Sequence, residues 1–123
     1  MLFSQMVCVF LGGGIGSCLR WLFGLACTGM FPGLRLGIVG VNLLGCFAVG
    51  AAAGYFARHA MPPIGLRLFV ITGLLGGFTT FSAFSLEAMT LLESKPLAAA
   101  AYLVLQVAGG LLLTYTAYRM TCR

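Results

Sequence analysis

The residues best suited to chemistry lie in one run, Gly76-Gly77-Phe78-Thr79-Thr80-Phe81-Ser82-Ala83-Phe84-Ser85. Two glycines followed by two threonines form helix poorly. Placed within a long apolar stretch, they predict a discontinuous helix whose freed backbone groups face a site, the way transport proteins build ion sites at the bilayer midplane. Phe81 and Phe84 are three residues apart and share a helical face, with Ser82 and Ser85 on the adjacent one. Two phenylalanines in lipid are also ordinary packing residues. Asn42 brings two amide donors and an acceptor, and is suited equally to a helix-helix hydrogen bond. Tyr102, Gln106 and Thr114 make a sparse polar stripe further on. Arg20 either snorkels to the interface or anchors an anion entrance. Glu87 is the only acid near a span interior. These groups suggest ion handling by dipoles and hydrogen bonds.

The rest of the chain fixes the solvent. Its 123 residues are 61% hydrophobic and only 7% charged, against about 25% charged in a soluble domain. So few charges cannot cover a water-facing surface, which excludes a cytosolic enzyme and a disordered tail. The net charge of +5 does not make a nucleic-acid module, because the basic residues are spread singly. Proline, glycine and charge mark turns around Phe31-Pro32-Gly33, Arg58 to Pro63 and Glu93-Ser94-Lys95-Pro96. Between them lie four apolar stretches, approximately 2–30, 34–56, 64–92 and 97–118, each long enough to span at roughly 20 residues per crossing. Without period-two alternation a barrel is excluded, so each span is expected to be helical within one transmembrane domain over 1–123. The first stretch lacks the marks of a signal peptide, and neither end carries a lipidation box.

With four spans, Arg58, Arg67, Arg119 and Arg123 share one side, and Arg20, Arg35 and Lys95 the other. That bias is too small to fix an orientation. It allows insertion both ways with antiparallel pairing, or is simply a noisy count. Five cysteines without a Cys-x-x-Cys pair are expected to be small apolar residues rather than ligands or disulfides, and His59 is expected to be interfacial. Of the 18 glycines, Gly12/Gly16 and Gly50/Gly54 have the spacing that lets helices approach closely. Gly12 to Gly16 is not a nucleotide loop, having no strand before it and no Lys-Ser/Thr after it.

The Gly76–Ser85 run resembles the central motif of the Fluc/CrcB family of fluoride channels. Gly13-Gly14-Ile15-Gly16-Ser17-Cys18-Leu19-Arg20-Trp21 is similar to the last nine positions of the family's Gly-Gly-x-x-Gly-Ala-x-x-Arg-Tyr, and Asn42-Leu43-Leu44-Gly45-Cys46-Phe47 to its Asn-x-x-Gly-Ser-Phe. The three motifs come in order at matching spacing, and length, four spans and near-neutral charge bias also match, so the resemblance covers essentially the whole chain. The resemblance implies an all-α membrane protein of four transmembrane helices with the third broken near its middle. It also implies assembly as an antiparallel, dual-topology homodimer in the bacterial inner (plasma) membrane, with two pores along the subunit interface. Phe81 and Phe84 would present ring edges to the permeating fluoride, attracting an anion without a trapping charge. Asn42 would offer amide donors and Ser82 a hydroxyl. Tyr102 and Gln106 would line the pore, though Gln106 and Gly110 replace expected hydroxyl residues, and Arg20 would sit near the vestibule. Glu87 would sit at a pore mouth. The backbone carbonyls of Gly76 and Thr79, two from each subunit, would hold a structural sodium ion (Na+). The implied function is passive, selective export of cytoplasmic fluoride trapped after entry as hydrogen fluoride, with no catalytic residue. A proton-coupled small multidrug transporter would need a carboxylate in the first helix, and no acid precedes Glu87. A structural subunit of a membrane complex would explain the glycines but not the Asn42, Phe81 and Phe84 constellation.

Overall fold

The computed structural model describes residues 1–30, 36–59 and 62–123, and the regular structure among them is helical. Four stretches are long and apolar enough to cross a membrane: Leu2–Met30, Leu36–Arg58, Ile64–Ser94 and Pro96–Thr121. The first two are α1 and α2. The third divides into α3 (residues 64–78) and α4 (Phe81–Ser94), and the fourth is α5 (Pro96–Thr121). The turn expected at Phe31-Pro32-Gly33, the second span's start at Leu34, and the loop residues Arg35, Ala60 and Met61 lie outside the described residues. α2 runs past Phe56 to Arg58, and α4 past Leu92 to Ser94. Lys95 alone separates α4 from α5, and Pro96 takes the first helical position, where its fixed φ suits the helix and its missing N–H loses no bond.

The helices pack as two parallel pairs. Along α1 and α3, Gly12 meets Phe69, Gly73 and Leu74, and Gly16 meets Leu74 and Phe78. Along α2 and α5, Gly50 lies on the Thr114 backbone and Gly54 against Tyr118 and Thr121. At Gly12, Gly16, Gly50 and Gly54 a Cβ would fall directly on the facing helix's backbone carbonyl, so only glycine permits the observed separation. Side-chain hydroxyls tie the second pair across the seam, Thr114 Oγ1 donating to the Cys46 carbonyl at 3.0 Å and Thr121 Oγ1 to Ala51 at 3.0 Å. α4 and α5 form an antiparallel hairpin across Lys95.

Few side chains are buried within a single copy. Val41, Phe84, Ala99, Tyr102, Gln106 and Ala117 are, while Phe3, Phe10, Trp21, Leu111 and Tyr115 face outward. A surface so apolar requires lipid or protein around it rather than water. Two segments wind more loosely as π-helix, Leu68–Leu75 before the end of α3 and Leu105–Gly109 in α5. Each inserts extra residues per turn, which re-aims the side chains that follow.

Glycine contact predicts an asymmetric response to one added methyl group. Gly16→Ala places a Cβ on the Leu74 carbonyl and Phe78 amide and should cost roughly 1–3 kcal/mol of overpacking. Gly24→Ala meets nothing within 4 Å and should be neutral or stabilising by up to about 1 kcal/mol through helix propensity. Thermal unfolding of the purified proteins in detergent distinguishes the two. Equal melting temperatures would refute a contact made by glycine backbones.

Candidate functional site

Helical geometry ends for two residues between α3 and α4. Thr79 takes φ −81°, ψ 158° and Thr80 φ −151°, ψ 123°. The glycines before them are helical, so the interruption falls on the threonines, whose branched side chains tolerate extended backbone. Thr79 completes α3, its amide bonding the Leu75 carbonyl at 3.0 Å and its hydroxyl donating to the same oxygen at 2.9 Å. Thr80 begins α4, its hydroxyl accepting from the Ala83 amide at 3.3 Å as an N-cap. Thr80 Oγ1 and Ser82 Oγ are 3.2 Å apart.

An interrupted helix frees backbone groups that the bilayer cannot satisfy. Here side chains from two other helices meet them. Asn42 on α2 clamps Thr80, accepting its amide at 2.8 Å on Oδ1 and donating from Nδ2 to its carbonyl at 3.0 Å. One N–H of the Asn42 amide remains beyond this clamp. Arg20 on α1 donates from Nη1 to the Thr79 carbonyl at 3.0 Å. A snorkelling arginine would run out to the headgroups, whereas Arg20 turns inward to the break. Ser17, one turn before it, donates to the Gly77 carbonyl at 3.4 Å. In a continuous helix the Thr80 amide would bond the Gly76 carbonyl; it goes to Asn42 instead, which releases that oxygen.

Beside the break is an open groove of about 450 Å³ lined by Asn42, Gly76, Thr79, Thr80, Phe81, Phe84, Gln106 and Thr114, among others. Asn42, Gly76, Thr79, Phe81, Phe84, Gln106 and Thr114, all singled out from the sequence, therefore share one groove. Phe81 and Phe84 have ring centroids 5.4 Å apart, tilted by 58°. Phe84 is buried and stacks on Tyr102 at 5.5 Å, while Phe81 is 76% exposed. Tyr102 thus sits behind Phe84. Its hydroxyl donates to Glu87 Oε2 at 2.7 Å and accepts from Gln106 Nε2 at 3.3 Å. Glu87 is thereby joined through Tyr102 to the groove-lining Gln106. Ser82 is exposed at the mouth of α4 beside the Thr80 hydroxyl.

The electrostatics follow from the break. The C-terminal end of α3 carries the partial negative charge of free carbonyls, and the N-terminal end of α4 the partial positive charge of free amides. A cationic group, Arg20, occupies the first end. The second opens at Phe81 and Ser82.

Ser17, Gly45 and Thr80 were not singled out individually from the sequence. A threonine ahead of Phe81-Ser82-Ala83 is a readable cap, and Ser17 lies one turn before Arg20. The partner of either is a tertiary matter that spacing does not reveal. The five cysteines are free thiols, and among the described residues no three His, Cys, Asp or Glu side chains gather to hold a metal. His59 stacks on Tyr55 at 4.1 Å and bonds the Tyr55 carbonyl through Nδ1 at 2.9 Å.

A family described as "CrcB-like protein, Camphor Resistance (CrcB)" matches residues 7–118. A protein of Pectobacterium carotovorum subsp. carotovorum named "Fluoride-specific ion channel FluC" is 42% identical over 120 residues, 97% of this chain and 94% of its own length. One of the same name from Burkholderia vietnamiensis is 48% identical over 89 residues, 72% of this chain and 70% of its own. The four apolar helices, taken with these bacterial relatives, make this a multi-pass protein of a bacterial membrane. With a match reaching from α1 to near the end of α5, the chain belongs to the CrcB family.

Proposed function

We propose that this protein is a passive, fluoride-selective channel that lets the membrane potential expel cytoplasmic fluoride. The observation that carries it is the convergence of Phe81, Phe84 and Asn42 on one groove, beside the N-terminal end of α4. Fluoride is small and strongly hydrated, so its water must be replaced in stages by weak donors. Ring edges of Phe81 and Phe84 provide positive potential without a full charge, and the remaining Asn42 N–H provides a directed donor. Ser82, Tyr102 and Gln106 extend the polar path from there, and Arg20 raises the potential from the α1 side. The relatives' name, fluoride-specific ion channel, agrees with this chemistry.

The active unit is proposed to be an antiparallel homodimer of dual topology with two pores along its interface. The groove is open along one side and Phe81 is exposed there, which suits closure by a second copy. A structural sodium ion is proposed at the centre of that dimer. The donor set fits: the Gly76 carbonyl is released by the turning of Thr80, and the Thr79 carbonyl has a second lone pair beyond its bond to Arg20. Both are hard oxygens, as an alkali cation requires. When bound, such an ion would supply positive charge that ties the two breaks together.

Liposomes loaded with potassium fluoride and treated with valinomycin test the function, with an electrode reading fluoride and chloride-loaded vesicles as control. Rapid fluoride release with chloride retained is expected; retention of fluoride by vesicles containing verified dimers would sink the channel assignment. In the same assay Phe81→Ile and Phe84→Ile, which keep bulk but lose the ring edge, should each slow release by about tenfold or more, equivalent to about 1.4 kcal/mol on the barrier. Unchanged flux through well-assembled Phe81→Ile dimers would remove that ring from the pore.

A further inference from the structure

Given the channel function proposed above, on which this rests, we infer that Gly45 is a positioning residue. It sets the pore-lining break by leaving room for the Thr79 methyl group, and so brings Asn42 within reach of Thr80.

α2 meets the break at two points about one turn apart. The first is the polar clamp of Asn42 on Thr80, with bonds of 2.8 and 3.0 Å. The second is steric. Gly45 is buried, and a Cβ built on it would fall on Thr79 Cγ2, with Phe78 Cδ1 another 3.5 Å neighbour. The methyl has no free rotation to escape, because the Thr79 hydroxyl is tied back to the Leu75 carbonyl at 2.9 Å. That bond turns Cγ2 towards α2. Adding a Cβ at 45 therefore forces either α2 away from the break or Thr79 out of its conformation. Either movement lengthens the Asn42 bonds, and hydrogen bonds weaken steeply beyond their usual range. The consequence reaches both ends of the break, since the Thr80 amide that Asn42 holds is the one whose departure releases the Gly76 carbonyl.

Helix propensity would act in the opposite direction, because alanine is a better helix former than glycine. Gly45 also lines the groove, so a loss on Gly45→Ala is assigned to the contact with Thr79 by its reversal when the Thr79 methyl is removed. The contact also predicts its own cure: Thr79→Ser removes only Cγ2 and keeps the hydroxyl bond to Leu75.

The test compares wild type, Gly45→Ala, Thr79→Ser, Gly45→Ala/Thr79→Ser and Gly45→Ala/Thr79→Val. Fluoride release from liposomes is measured for each, and the monodisperse fraction is measured in detergent by size exclusion. Gly45→Ala should release fluoride about tenfold more slowly or worse than wild type. The double variant with serine should return to within about threefold of Thr79→Ser alone, the coupling expected of residues in contact. Valine, which keeps the bulk, should restore nothing. If Gly45→Ala fails to assemble, the same rescue should appear in the monodisperse fraction. Wild-type flux through Gly45→Ala, or no recovery with serine by either readout, overturns the inference while leaving the channel intact. A wild-type protein that releases no fluoride overturns the channel function, and this positioning role with it.

Discussion

Hydrocarbon offers no hydrogen bonds, and that absence governs this structure. A break in the third span frees several backbone groups at a depth where lipid offers them no partner, at a cost of several kcal/mol each if left alone. The protein answers with side chains brought from elsewhere: Asn42 from α2, Arg20 and Ser17 from α1, and Thr80 as the cap of its own helix. Those side chains reach only because α1 and α2 lie close to the break, and α1 lies close to α3 only because glycines occupy the contact. The polar site and the glycine seams are thus one construction. Each is unaffordable without the other in a membrane.

The break also separates charge through backbone dipoles alone, before any charged side chain is added. A helix C-terminus faces a helix N-terminus across two extended residues, so carbonyl oxygens and amide protons are presented side by side. Arg20 sits at the carbonyl end. At the amide end stand Phe81 and Ser82, and the stack continues through Phe84 to Tyr102, Glu87 and Gln106. Such an arrangement can attract an anion by many weak contacts, which favours passage over capture.

Much of this was readable in the amino-acid order. Apolar length and the punctuation by Pro96 and Lys95 located the four helices, because lipid leaves few alternatives for a backbone. Gly12/Gly16 and Gly50/Gly54 announced close contact by spacing alone, although whether they join helices of one copy or of two was beyond the pattern. Asn42, Phe81 and Phe84 stood out by residue type. What Asn42 holds was not legible, because its partner is 38 positions away. Arg20 likewise gave no sign that it would turn inward, since a guanidinium on a long stem can reach either the interface or a neighbouring carbonyl. The π-helical segments left no compositional mark at all; Leu105–Gly109 differs little from the helical residues beside it.

The glycine seams have a consequence for how tightly the helices can hold together. Glycine has no side chain to immobilise, so bringing α1 onto α3, or α2 onto α5, freezes almost no rotamers at these contacts. A seam of leucines would surrender torsional freedom at every knob as it closed. Here the dispersion gained by backbone touching backbone is kept nearly whole.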